Sequence, residues 1–251
     1  MNVVENNNLY KKLLKPEKNV KYSFRTKAGD KALIIAPHPD DEVLGCAGII
    51  QKMLNLSMMV EVVLLTDGAG ENHNQELAQI RREEFYKAIS SLGNIAVTYL
   101  GFPDGSISEN YEKVIDSLSL VFQNSIPDIV FLPYVFDYNL DHQVCNFVLE
   151  RVLTNLNLFS LKEIAMYEVW TPILYPNCYI NVTDEFDVKK NAISIYRSQE
   201  KRYHIFDKVL ALNTYRAKFS MRTNVRYMEC FRSFNVKEYI DIISFLKCVF
   251  C

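Results

Sequence analysis

The chain has 251 residues, 49% of them hydrophobic, enough to bury one large core without a second domain. Charged residues make up 23% and the formal net charge is -2, so nothing marks a nucleic-acid or anionic membrane surface, and a small-molecule partner is expected. No apolar run reaches the roughly 18 residues of a membrane span, and residues 1–30 lack a signal-type apolar stretch. The expectation is a cytoplasmic protein with one domain over 1–251, residues 1–30 being an N-terminal extension.

Short β-branched runs alternate with helical periodicity through the first two-thirds of the chain, the signature of strand–helix–strand units around a mostly parallel sheet. In chain order the pattern predicts a strand at 32–36 and a helix at 42–55. A second strand at 58–66 leads through a Gly/Asn-rich loop to a charged helix at 75–92. Strands at 95–100 and 128–133 follow, with helices at 110–123 and 142–155. The alternation then weakens: strands are expected at 163–170 and 178–183, helices at 187–203 and 205–220, and a short strand with a closing helix in 227–251. This is an α/β protein, a Rossmann-like three-layer sandwich.

Six cysteines, at 46, 145, 178, 230, 248 and 251, lack the dense spacing of a secreted disulfide framework, and reduced thiols are expected. Cys248 and Cys251 form a single C-x-x-C pair, with no second pair to complete a four-thiolate site.

Ligands of open parallel sheets bind beyond the carboxyl ends of the strands, so the loops after the strands carry the argument. Directly after the 32–36 run comes Pro37-His38-Pro39-Asp40-Asp41-Glu42, one imidazole and three carboxylates. A pyrophosphate cradle needs glycines there; these acids repel phosphate and attract a divalent cation. Gly45 and Gly48 lie inside the following helix, where they suit close helix-to-sheet packing. Zinc accepts imidazole nitrogen and carboxylate oxygen, and a catalytic site uses three protein ligands with a fourth position open. His38 and Asp41 supply two. For the third, His142 ends the loop after the 128–133 strand, His73 in the loop after the second strand competes, and His204 lacks an acidic neighbour. Acids at a helix N-terminus are also favoured by capping and the helix dipole. The two His-bearing loops at one sheet edge are what favour a metal site.

The segment ALIIAPHPDDEVLGCAGII resembles the first motif of the LmbE-like or PIG-L family of zinc-dependent N-deacetylases, and DYNLDHQ resembles the second. TDGAG, Arg81 with Glu84, LGFPDG around Asp104, and YRSQ ending at Gln199 follow the family order, so the resemblance spans 32 to about 232. It implies a Rossmann-like fold, one zinc ion and removal of an acetyl group from an N-acetylated amino sugar or glycoconjugate. By position, it makes His38, Asp41 and His142 the zinc ligands and Asp40 the general base, and it places Arg81 and Asp104 at substrate. Several members read H-x-D-H in the second motif; here the first of these positions is Asn139, which can donate a hydrogen bond to an oxyanion but cannot deliver a proton. Asp40 is then expected to take the proton of a metal-acidified water, and either Asp40 itself or another group to return one to the departing amine; Asp141 is expected to orient His142 or a neighbour. A metal-dependent phosphoesterase and a non-catalytic sugar-binding module are the alternatives.

Overall fold

The structure is a computed structural model that describes residues 15–17, 19–70 and 72–250. Residues 1–14 and 18 of the N-terminal extension, and Cys251 of the C-x-x-C pair, lie outside the described residues. Seven strands form one sheet: β1 (Lys31–Ala36), β2 (Met59–Thr66), β3 (Ala96–Phe102), β4 (Ile129–Pro133), β5 (Glu163–Tyr167), β6 (Cys178–Asn181) and β7 (Met228–Phe234). Their order is β3-β2-β1-β4-β5-β7-β6. The first five run parallel, and β7 lies antiparallel to both β5 and β6. The helices are α1 (Asp41–Asn55), α2 (Gln75–Leu92), α3 (Tyr111–Asn124), α4 (Leu140–Asn155), α5 (Phe186–Ile193), α6 (Arg197–Tyr203), α7 (Ile205–Phe219) and α8 (Val236–Phe250). None is long and apolar enough to cross a membrane.

Strand periodicity builds the three layers. On β1, Leu33 and Ile35 face a core shared with α3, α4 and α8, while Ala32 and Ile34 face a second core with α1, α2 and α5. Both faces of the sheet are covered, which is why its strands read as continuous apolar runs. Helix α1 packs close because of its glycines: a Cβ on Gly45 would stand 2.2 Å from the Tyr167 ring, and one on Gly48 would stand 2.5 Å from Val182. From β7, Glu229 accepts the Gly48 and Ile49 N–H groups and pairs with the buried Lys189 of α5, so this buried carboxylate is fully engaged. The cysteines among the described residues are free thiols.

The helix expected over 187–203 is two helices, α5 and α6. Between them the Ile195 and Tyr196 N–H groups bond three residues back, to Ala192 and Ile193, and Tyr196 turns inward to be completely buried. Its hydroxyl donates to Glu42 Oε1. The strand expected over 163–170 stops at Tyr167, because the Trp170 and Thr171 N–H groups turn to the Asp137 carboxylate instead of a neighbouring strand.

Candidate metal centre

Strands β1 and β4 are neighbours, and their connections leave to opposite sides of the sheet: α1 lies on one face and α4 on the other. The crevice at the carboxyl ends of these two strands is the switch point where open α/β sheets hold ligands. His38, Asp40 and Asp41 leave β1 here, and His142 follows β4 in the first turn of α4. All four are buried.

His38 Nδ1 stands 3.1 Å from His142 Nε2, and Asp41 Oδ2 lies 3.3 Å from the first and 3.0 Å from the second. Around a tetrahedral zinc with bonds of about 2.0–2.1 Å, ligand atoms stand about 3.3–3.4 Å apart, so these three atoms nearly form one face of such a site. Asp41 Oδ1 is buried with no hydrogen-bond partner, a second carboxylate oxygen free for a cation. The donor set therefore fits zinc. His73 is exposed in the turn before α2, and His204 is exposed between α6 and α7; neither belongs to the cluster.

Carboxylates surround the ligands. On the far side of the His38 ring, Nε2 meets Asp104 Oδ1 at 3.0 Å and Asp141 Oδ2 at 3.3 Å. The partner of Asp141 is thus His38 and not His142, and its oxygens also accept the Gly105 and Ile107 N–H groups. His142 Nδ1 instead lies 3.1 Å from Asp137 Oδ1. Asp137, wholly buried and five residues before His142, was not singled out in the sequence; its only sign there is a place in the same strand-end loop.

Without a bound cation these groups shift one another. Burial opposes charge on His142, but Asp41 and Asp137 push its pKa up to about 9. Burial likewise opposes charge on Asp41, and His142 and His38 hold it far below the usual carboxylate range. Burial opposes charge on Asp104 too, but His38 and Arg81 lower it to about 2.

Asp40 behaves differently. Burial pushes it up to about 7, the Arg81 guanidinium pulls it down and the Asp41 charge adds to the rise. Such a carboxyl is poised for proton transfer near neutral pH. It occupies the N-cap position of α1, yet its side chain makes no capping bond, and its φ of 124° is far from the conformations an aspartate prefers. The surroundings hold it there: its N–H donates to Glu42 Oε2 at 3.2 Å, and Asp41 Oδ2 accepts the His38 N–H at 2.8 Å. Glu42 is itself wholly buried between Tyr196 and Asp40, and burial pushes its pKa up to about 8. Sequence reasoning read Glu42 only as part of an acidic run.

Arg81 projects from α2 between the loops. It donates to Pro39 O at 2.8 Å and Gly68 O at 3.1 Å, and stands 3.6 Å from Asp104 Oδ2. Glu84, one turn on, accepts both the N–H and the hydroxyl of Ser198, which joins the α2 motif to the YRSQ motif. Asn139 caps α4: its Oδ1 accepts the Asp141 N–H at 2.8 Å and its own N–H donates to Asp137. That cap starts the helix at Leu140 and sets His142 one turn from the loop.

Residues 33–153 match the family model described as "PIG-L: GlcNAc-PI de-N-acetylase". A diacetylchitobiose deacetylase from Thermococcus kodakarensis is 28% identical over 191 residues, 67% of this chain and 70% of its own. Among solved structures, an N,N'-diacetylchitobiose deacetylase from Pyrococcus horikoshii superposes with a TM-score of 0.73 at 26% identity, covering 93% of this chain and 92% of that one. The 4-carboxy-2-hydroxymuconate hydratase GalB from Pseudomonas putida KT2440 superposes with a TM-score of 0.71 at 20% identity, covering 81% of this chain and 95% of its own, a likeness of fold alone. Every loop of the cluster, from His38 to His142, thus lies within the stretch, residues 33–153, that matches the PIG-L (LmbE-like) family model.

Proposed function

We propose that the protein is a zinc-dependent hydrolase that removes the acetyl group from the amide nitrogen of an N-acetylated amino sugar or glycoconjugate. The observation that carries this reading is a buried carboxylate outside the ligand set, Asp40, raised to about 7 beside three converging ligand atoms. Deacetylase relatives with chitobiose substrates support the substrate class.

His38, Asp41 and His142 would hold the metal, which when bound acidifies water and polarises the amide carbonyl. Asp40 takes the proton that water loses as its oxygen bonds to the carbonyl carbon. As the C–N bond breaks, Asp40 returns that proton to the departing nitrogen, giving acetate and a free amine. The Asn139 amide NH2, whose oxygen is committed to the α4 cap, would donate to the developing oxyanion. Asp104, the more open of the acids, and Arg81 border the space for substrate.

A phosphoesterase commonly uses two ions bridged by carboxylates. The second cluster, His38 with Asp104 and Asp141, shares its histidine with the first, and Asp141 is engaged by two backbone N–H groups. That arrangement orients His38 and leaves a single ion. The test is acetate and amine release from a panel of N-acetylated amino sugars and glycoconjugates, with and without chelator. Chelator-sensitive release is expected; phosphate-ester cleavage without acetate release would overturn the reading.

A further inference from the structure

A metal ligand with two ring nitrogens has to present the right one. Bonding through Nε2 requires that His142 carry its proton on Nδ1, and something must hold it there. The Nδ1 atom is buried, and its one close approach among the described residues is Asp137 Oδ1, 3.1 Å away and oblique to the ring.

Asp137 is placed so that it can only accept. Its Oδ2 takes the Trp170 and Thr171 N–H groups, each at 2.9 Å, and its Oδ1 takes the Asn139 N–H at 3.0 Å. Three fixed backbone donors point at one wholly buried carboxylate, and the His142 ring edge is the fourth group to meet it. A carboxylate ringed by donors favours a donor at the fourth position too, which is the Nδ1–H form of the imidazole.

On this arrangement, and resting on the metal reading above, we infer that Asp137 is the positioning residue that fixes the tautomer of His142 and thereby turns its Nε2 lone pair toward the metal. The same carboxylate ties the segment after β5 to the metal ligand, because Trp170 and Thr171 hang from its other oxygen. Tyr138 closes the connection, its N–H donating to Thr171 Oγ1 at 2.8 Å.

The sharp test is Asp137→Asn. Two backbone donors at the Oδ2 position hold the amide oxygen there, so the NH2 group must face His142 Nδ1. That nitrogen becomes an acceptor and the proton moves to Nε2, where it blocks the metal. Zinc affinity, measured by competition with a chromophoric chelator, is expected to fall roughly ten- to a hundredfold, as for other partners of metal-ligating histidines. An affinity equal to wild type in a folded variant overturns the proposal and leaves the metal site standing. A wild-type chain that takes up no divalent cation overturns both. Should the variant not fold, the wild-type zinc form decides: with four histidines in the chain, long-range 1H–15N spectra resolve each ring. His142 protonated at Nδ1 and metal-bound at Nε2 is expected, and an unprotonated Nδ1 overturns the assignment.

Discussion

Arg81 holds Asp40 from two directions: its Nη2 donates to the carbonyl oxygen of Pro39 at 2.8 Å and stands 3.4 Å from Asp40 Oδ2. One guanidinium thus fixes both the peptide entering Asp40 and the carboxylate itself. Replacing Arg81 by Lys keeps the charge but loses the planar fork, so the loop loses a bond at either Pro39 or Gly68. The expected outcome is a kcat reduced more than KM is raised. A variant with KM raised and kcat intact would assign Arg81 to substrate binding alone.

The strained backbone of Asp40 makes a stability prediction independent of activity. At φ 124° glycine is at ease, and an alanine is not. Chemical unfolding should find Asp40→Gly more stable than Asp40→Ala by about 1–3 kcal/mol, because glycine alone relieves the positive φ. Equal stabilities would show that no strain is stored there. Asp40→Asn should retain zinc while losing turnover by roughly a hundred- to ten-thousandfold, since an amide is no base.

Metal uptake should depend on pH with a defined sign. His142 in the metal-free chain titrates at about 9 against an ordinary 6.5, so a proton must leave when the metal enters. Zinc affinity should therefore rise with pH up to about 9 on account of this group. For the metal-free fold the sign is opposite. A raised folded pKa contributes stability fully below about 6.5, and that contribution is lost as the pH climbs through 9. Thermal melts of the chelated chain at pH 6 and pH 9 check it, the former being expected to be more stable with respect to this group.

In the proposed reaction Asn139 would have two jobs that substitution can separate. Asp keeps the acceptor that caps α4 but has no donor, whereas Ala loses both. Asn139→Asp should hold stability near wild type and lower turnover by roughly ten- to a thousandfold, and Asn139→Ala should lose about 1 kcal/mol of stability as well. Zinc content should not change in either. Full activity in both variants would remove Asn139 from the reaction.

Much of the fold was legible because local patterns carry it: alternating strands and helices, and glycines in α1 that meet Tyr167 and Val182. His38, Asp40, Asp41 and His142 stood out because each lies in the loop or first helical turn that directly follows a strand. What stayed hidden depends on partners far apart in the chain. Asp141 sits next to His142 yet meets His38, 103 residues away, because the first turn of α4 points adjacent side chains in different directions. Asp137 is one acid among many until the segment after β5 brings Trp170 and Thr171 to it. The break at Tyr196 follows from a buried hydroxyl reaching Glu42 across 154 residues, which no helical periodicity contains.

The most direct test of the account is a zinc titration of the chelated chain, read as acetate released from an N-acetylated amino sugar on which the untreated protein is active. Activity should be absent without metal and rise linearly to a plateau at one zinc per chain, with Asp40→Asn binding the same equivalent and staying near the baseline. Undiminished acetate release from fully metal-free protein, or a plateau that requires two zinc ions, would contradict it.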